Sequence, residues 1–157
     1  MEHWRGIMGD AVIVRSDFLD EYKQMTKDFE GLRLRPYKCS AGKLTIGYGR
    51  NLEDVGISKE EADALFNKDF TKAMEDAAKL LNEEGITSLH KQRFYVLTDM
   101  VFNLGYTGTK KFKKFLYALK KDLYDDAAKE MLDSQWAVQV GSRAIKLAAM
   151  MKDAKND

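Results

Sequence analysis

Cysteine and proline are almost absent from this chain, and no long apolar run occurs in it. The single cysteine, Cys39, excludes an internal disulfide and fits synthesis in a reducing compartment. The apolar residues 7–14 are interrupted by Asp10, and the stretch is too short for a signal peptide or a membrane span. We therefore expect cytoplasmic synthesis, with no signal peptide, no transmembrane segment and no stable insertion into a membrane.

Charge of one sign is also lacking, because 26 basic residues nearly balance 25 acidic ones. Residues 90–157 are mildly basic, with thirteen Lys and Arg against eight Asp and Glu. This excess suits an anionic polymer, but no nucleic-acid motif accompanies it, so no nucleic-acid partner is expected. The length of 157 residues fits one domain.

Helical spacing of Phe18, Tyr22, Met25 and Phe29 predicts an amphipathic helix over residues 17–30. Ser16 is its expected N-cap, and Gly31 is its expected stop. Residues 1–15 show no period and are interpreted as an N-terminal extension.

Residues 32–52 favour a small β-hairpin with a turn at residues 40–42. Thr45, Gly47 and Gly49 alternate, which predicts that they share one face of a strand. Two glycines on one face indicate either close approach of a ligand such as a sugar ring, or a bend in the sheet.

Ser58 and Glu61 form a capping box that opens a long helix, expected to end near residue 82. Further helices are predicted at about residues 91–104, 110–120, 124–135 and 142–152. The pattern predicts an α+β fold: a β lobe (about 31–57), a linking helix (about 58–82) and a helical lobe (about 85–157, with helix 17–30). Residues 16–157 would form one domain, with a cleft between the lobes.

Glu30 is the most informative single residue. A helix C-terminus disfavours an anion, and Phe29 and Leu32 flank this one, so both influences are expected to raise the pKa of the carboxyl group. A protonated carboxylic acid is what acid-catalysed bond cleavage requires. From its position alone, Glu30 is also interpretable as a solvated glutamate at a helix end.

Residues 30–49 closely resemble the active-site hairpin of phage-type lysozymes, glycoside hydrolase family 24; they read EGLRLRPYKCSAGKLTIGYG. That family carries a glutamate, eight intervening residues, an aspartate or less often a cysteine, five more residues and a threonine. Here Glu30, Cys39 and Thr45 stand at that spacing. The resemblance continues downstream in three places: MVFNLG at residues 100–105, SQW at residues 134–136, and Arg143.

The resemblance implies a lysozyme-like fold and an endolysin that cleaves the β-1,4 bond between N-acetylmuramic acid and N-acetylglucosamine with inversion. Glu30 would donate the proton, and Thr45 would hold the attacking water. Cys39, in place of the commoner aspartate, leaves three roles open: a weak water-orienting thiol, a thiolate that supplies negative charge, or a nucleophile that would cause retention. A small buried side chain without chemistry is the fourth interpretation.

The remaining site predictions combine the chemistry of the residues with the resemblance. Gly47, Gly49, Phe102, Asn103 and Arg143 are expected to contact the substrate or orient Glu30; Phe102 and Asn103 are alternatively packing residues at a helix end, and Arg143 an ordinary surface arginine. Trp136 is expected in the core. The chain departs from the coliphage-like pattern at three positions, which are Arg50 in place of a histidine and Phe115 and Glu130 in place of polar cleft residues.

Four lysines, Lys110, Lys111, Lys113 and Lys114, crowd a predicted helix start, where the dipole disfavours cations. Two interpretations are open: the lysines draw the enzyme to anionic wall or outer-membrane polymers, or they form an ordinary solvated face. Peptidoglycan is the expected partner and a pore-forming holin the functional one; a monomer is expected, without metal or cofactor. Three alternatives remain: a lytic transglycosylase, an impaired wall-binding module and, without motif support, a nucleic-acid-binding domain.

Overall fold

The computed structural model describes residues 4–6 and 13–154, with side chains from residue 19 onward. The chain divides into two compact units, Met1–Glu61 and Ala62–Asp157. The elements in chain order are β1 (Trp4–Gly6), β2 (Ile13–Arg15), α1 (Ser16–Glu30), β3 (Arg33–Lys38), β4 (Leu44–Gly47), β5 (Arg50–Asn51), α2 (Lys59–Glu83), α3 (Lys91–Lys110), α4 (Lys113–Lys120), α5 (Tyr124–Leu132), α6 (Gln135–Val140) and α7 (Ser142–Asp153). The α+β class expected from the sequence is confirmed.

The N-terminal segment contains a short antiparallel pair, in which Trp4 of β1 faces Arg15 of β2. The sequence did not predict this pair, because strands of three residues are too short to display a two-residue period. The chain enters α1 directly after β2, and the helix begins at Ser16. The side chain of Ser16, the expected N-cap, lies outside the described residues, as do residues 7–12.

The predicted hairpin supplies two strands, β3 and β4, of a three-stranded antiparallel sheet ordered β3-β4-β5. Its first turn lies where expected, with Gly42 N–H donating to the carbonyl of Cys39 at 2.8 Å. After β4 the chain reverses again, so that Thr45 faces Asn51 and Ile46 faces Arg50. The two-residue β5 was missed because so short a strand carries no period.

Gly49 does not share a strand face with Thr45 and Gly47, so that prediction was wrong. Strand β4 ends at Gly47, and residues 48–49 form the turn that leads into β5. Gly47 and Gly49 adopt φ values of 70° and 76°, in the left-handed region that L side chains rarely enter. The two glycines therefore build the bend in the sheet, which was one of the two interpretations offered for them.

The predicted capping box at the start of α2 is confirmed in both directions. Ser58 N–H donates to Glu61 Oε1 at 3.0 Å, and Glu61 N–H donates to Ser58 Oγ at 3.1 Å. Arg50 adds a two-pronged ion pair to the same carboxylate, at 3.2 and 3.0 Å. This network fixes β5 to the first turn of α2 within unit 1.

Unit 2 consists of helices around one apolar core. Trp136 is 2% exposed, which confirms its predicted place in that core. The other large side chains that are almost fully buried come from α2 to α7: Leu80, Leu97, Met100, Phe115, Leu116, Leu119, Met131 and Met151. Close packing of this kind makes truncation of any of them costly, at about 2–5 kcal/mol for Leu or Met to Ala.

Three helix boundaries in unit 2 differ from the prediction, and the first is the start of α4, which lies at Lys113 and not near residue 110. Helix α3 continues past Leu104 to Lys110 across a kink at Gly105, whose φ of 76° and ψ of 168° are not helical. Helix α5 ends at Leu132, and Ser134 begins the separate helix α6 by accepting a hydrogen bond from Ala137 N–H at 3.1 Å. In α5 a local cap divides a run whose apolar spacing appeared continuous, whereas in α3 the helix resumes after Gly105, where the sequence predicted a stop.

Candidate active site

Glu30 is the last residue of α1, and Gly31 ends the helix there with a φ of 72°. Phe29, expected to be an apolar neighbour of the acid, is 83% exposed. Glu30 instead lies against the turn after β4. A Cβ atom placed on Gly49 would stand 2.5 Å from Glu30 Oε2 and 2.9 Å from Glu30 Cδ. The group that closely approaches the backbone of Gly49 is therefore the Glu30 carboxylate of the chain itself.

Cys39 lies in the turn between β3 and β4. Its N–H donates to the carbonyl of Lys43 at 3.0 Å, which closes the turn. Backbone N–H groups of Lys43 and Ala41 donate toward the sulfur, and with the Thr45 hydroxyl they lower the pKa of the Cys39 thiol, against a smaller opposing effect of desolvation. The local fold therefore makes the Cys39 thiol easier to ionise than an ordinary cysteine.

Thr45 is 3% exposed on β4. Its hydroxyl donates to the carbonyl of Lys43 at 2.9 Å, and it also interacts with Cys39. A hydroxyl has one hydrogen, so it donates either to Lys43 or to the sulfur at any moment. Cys39 and Thr45 are thus direct neighbours, whereas Gly47 marks the far end of β4, opposite Arg33.

Phe102 and Asn103 are exposed residues of α3 in unit 2. The Phe102 ring lies 5.7 Å from that of Phe66 and 6.4 Å from that of Phe70, measured between centroids. Phe102 therefore belongs to an aromatic cluster with α2 that is only partly covered, since Phe66 is 50% and Phe102 39% exposed.

Arg143 of α7 forms an ion pair with Asp99 of α3. Its Nε and Nη2 atoms donate to the two carboxylate oxygens at 3.0 and 2.8 Å. The Asp99 hydrogen bonds raise the pKa of Arg143, so the guanidinium remains charged. Sequence reasoning missed Asp99, although its position four residues before Asn103 places it on the same helix face.

The three departures from the coliphage-like pattern have distinct places. Arg50 pairs with Glu61, as described above. Phe115 is 1% exposed and belongs to the core, so it offers the substrate no surface. Glu130 lines a cavity of about 340 Å³ together with Lys113 and Lys114.

The four lysines do not all crowd one helix start, so that prediction was partly wrong. Lys110 lies in the last turn of α3, where the dipole favours a cation, and it pairs with Glu83 at 3.2 Å. Hydrogen bonds to Tyr106 and Glu83 raise the pKa of Lys110. Only Lys113 and Lys114 occupy the first turn of α4, whose N-cap makes no side-chain hydrogen bond.

In the part of the chain that the structure describes, no group of three His, Cys, Asp or Glu side chains is placed to hold a metal ion. Nor, over the same residues, is any helix long and apolar enough to cross a membrane.

One family and three individual proteins match this chain. Residues 27–152 match the phage lysozyme family. The endolysin of Acyrthosiphon pisum secondary endosymbiont phage 1 is 36% identical over 87 residues, which cover 53% of this chain and only 56% of that endolysin. The probable T4-type lysozyme 2 of Dictyostelium discoideum is 27% identical over 157 aligned residues, with 83% of this chain and 92% of that protein covered. The pre-baseplate central spike protein Gp5 of Enterobacteria phage T4 is 27% identical over 155 residues, 82% of this chain but 27% of the spike protein.

Proposed function

Because this chain belongs to the phage lysozyme family of peptidoglycan-hydrolysing enzymes, we propose that it is a muramidase. The enzyme would cleave the β-1,4 bond between N-acetylmuramic acid and N-acetylglucosamine. Its biological role would be host-cell lysis, as an endolysin. The observation that carries the proposal is the Glu30 carboxylate lying against Gly49, in the same unit as the neighbouring Cys39 and Thr45.

In the proposed reaction, the Glu30 carboxylic acid transfers its proton to the bridging glycosidic oxygen as the bond to the anomeric carbon breaks. Positive charge develops on the ring, and a water molecule attacks the anomeric carbon from the opposite face. Phe102, Asn103 and Arg143 are proposed as substrate contacts from unit 2.

Cys39 is proposed to act as a thiolate that orients this water and accepts its proton. The N–H groups directed at the sulfur support this role, because they stabilise negative charge there. Thr45 supports Cys39 through its hydroxyl; its burial makes it a positioning residue in this scheme. The outcome is inversion, whereas direct attack by the sulfur would give retention.

The test is digestion of purified peptidoglycan by the full chain and by Glu30→Gln. Wild type should release reducing muropeptides, and the variant should lose at least about 100-fold in rate, because its amide cannot donate the proton. Wall digestion by Glu30→Gln at the wild-type rate would refute the proposal.

The same digest separates the rival activities. Anhydro-muramoyl ends in the mass spectrum would identify a lytic transglycosylase, and binding without any cleavage would identify a wall-binding module. Initial release of the β-anomer, observed by NMR, would contradict inversion.

Release to the wall is proposed to require a membrane pore made by a holin, with the enzyme acting as a monomer. The relationship to a phage endolysin supports this route. The relationship to a baseplate spike protein supports a second one, in which the chain acts as a tail-associated lysozyme. Lysis that depends on co-expressed holin would favour the first route.

A further inference from the structure

Asp99, which pairs with Arg143, has no role yet in the proposed reaction. Asp99 is 9% exposed, and its two carboxylate oxygens accept from one edge of the Arg143 guanidinium at 3.0 and 2.8 Å. A two-pronged contact of this kind holds the planar guanidinium in one orientation. The pair also connects α3 to α7 within unit 2.

The other edge of the guanidinium remains available. Of five N–H groups in an arginine side chain, this pair uses two. Among the described residues Arg143 has no hydrogen-bond acceptor other than Asp99, and its side chain is 42% exposed. The structure thus presents a fixed, partly exposed set of N–H donors.

Asn103 lies on the same face of α3 as Asp99, since the two residues are four positions apart. Such neighbours have Cβ atoms about 5–6 Å apart. Asp99, which holds the guanidinium, is therefore about one helical turn from the exposed Asn103 on α3.

We propose that Asp99 is a positioning residue that orients Arg143 so that its free edge donates hydrogen bonds to an uncharged amide carbonyl oxygen of peptidoglycan. The inference rests on the proposed function, because it specifies how unit 2 would recognise the substrate of that reaction. Asp99 itself does not touch the sugar.

The charges of Asp99 and Arg143 determine which kind of hydrogen-bond acceptor the free edge of the guanidinium favours. Asp99 cancels the charge of Arg143, and its carboxylate would repel a second carboxylate brought close to the guanidinium. An amide carbonyl suffers no such repulsion. Peptidoglycan offers this group twice, in the N-acetyl groups of the sugars and in the stem peptide.

The experiment measures binding of soluble peptidoglycan fragments to the full chain in a Glu30→Gln background, which prevents turnover. Asp99→Asn and Arg143→Gln should each weaken binding about 10-fold, the size of roughly one well-formed hydrogen bond to a charged donor. Because Asp99 acts only through Arg143, the double variant should bind no more weakly than Arg143→Gln alone. Arg143→Lys keeps the positive charge beside Asp99 but lacks the planar guanidinium, so it should show the same loss of binding.

Two comparisons exclude a merely structural effect. Glu83→Gln removes a paired carboxylate elsewhere in unit 2 and should leave binding unchanged. The loss in Asp99→Asn should also be nearly constant from about 50 to about 300 mM salt, because the acceptor is uncharged. Fragments with and without stem peptide then distinguish the two sources of the carbonyl.

Wild-type binding by Asp99→Asn, additive losses in the double variant, or a loss that disappears at high salt would each overturn the inference. Failure of the proposed function appears elsewhere, as a wild-type chain that does not digest peptidoglycan.

Discussion

Gly49 is the residue whose replacement best tests the position of the acid. Alanine at this site would place its Cβ atom on the Glu30 carboxylate and would strain a backbone with φ of 76°. We expect Gly49→Ala to lose roughly 100-fold in wall digestion, because displacement of a catalytic group by about 1 Å is enough for such a loss.

Gly56→Ala is the matched control for this prediction. Gly56 also has a positive φ, of 65°, but nothing lies within 4 Å of an added Cβ. Both variants should lose about 1–2 kcal/mol of stability from backbone strain, measured by thermal unfolding, and only Gly49→Ala should lose activity. Equal activity in the two variants would show that Glu30 needs no space at Gly49.

Cys39 supports a prediction about pH. If the thiolate accepts the proton of the water, activity must rise as the pH rises through the Cys39 pKa, which the turn lowers from its ordinary value of 9.0. An aspartate is ionised to much lower pH. The acidic limb of the kcat/KM profile should therefore move to lower pH in Cys39→Asp.

Cys39→Ser completes this test, because a serine hydroxyl does not ionise in the working range. Its rate should fall by about 100-fold or more at every pH. Coincident acidic limbs in wild type and Cys39→Asp would exclude Cys39 as the group that sets that limb.

At the scale of elements, Arg50 and Glu61 join the sheet of unit 1 to the start of α2. Hydrogen bonds from Ser58 and the charge of Arg50 lower the pKa of Glu61. A carboxyl whose pKa is lower in the folded state contributes stability above its unfolded pKa, and this contribution disappears as the pH falls through the folded value.

Arg50→Ala should therefore lower the thermal midpoint at neutral pH, and the deficit should shrink as the pH falls below the ordinary glutamate value of 4.5. Thermal unfolding of both proteins across this pH range measures it, with Arg33→Ala, an exposed arginine of β3, as control. A deficit that does not change with pH would mean that Arg50 contributes through packing alone.

At the scale of the whole molecule, the basic excess of the C-terminal part predicts a response to salt. Lys111, Lys113 and Lys114 are exposed, whereas Lys110 is paired with Glu83. Replacement of these three by Gln should flatten the fall in wall lysis with rising salt, because fewer cations then attract the anionic wall.

The control replaces Lys120, Lys121 and Lys146, which are also exposed, and so matches the change in net charge. A salt profile that is identical in the two triple variants would show that only net charge matters. A profile unchanged from wild type in both would leave the lysines as ordinary solvated residues.

Much of this protein could be predicted from local patterns in the chain. The amphipathic period of α1, its stop at Gly31 and the capping box of Ser58 and Glu61 depend on neighbours within a few residues, so they are visible before folding. The candidate site of Glu30, Cys39 and Thr45, in contrast, was predicted only because their spacing resembles that of a known family.

Only the tertiary structure decided which distant residues meet. That Glu30 lies on Gly49, that Arg50 pairs with Glu61 and that Asp99 holds Arg143 all depend on side chains 11 to 44 positions apart. The stop of a helix or the period of a strand is set by local sterics and hydrogen bonds, whereas such pairs exist only when packing brings two elements together. The sequence by itself therefore determined most of the helices, the β3–β4 hairpin and the candidate chemistry, and the fold determined what surrounds each reactive group.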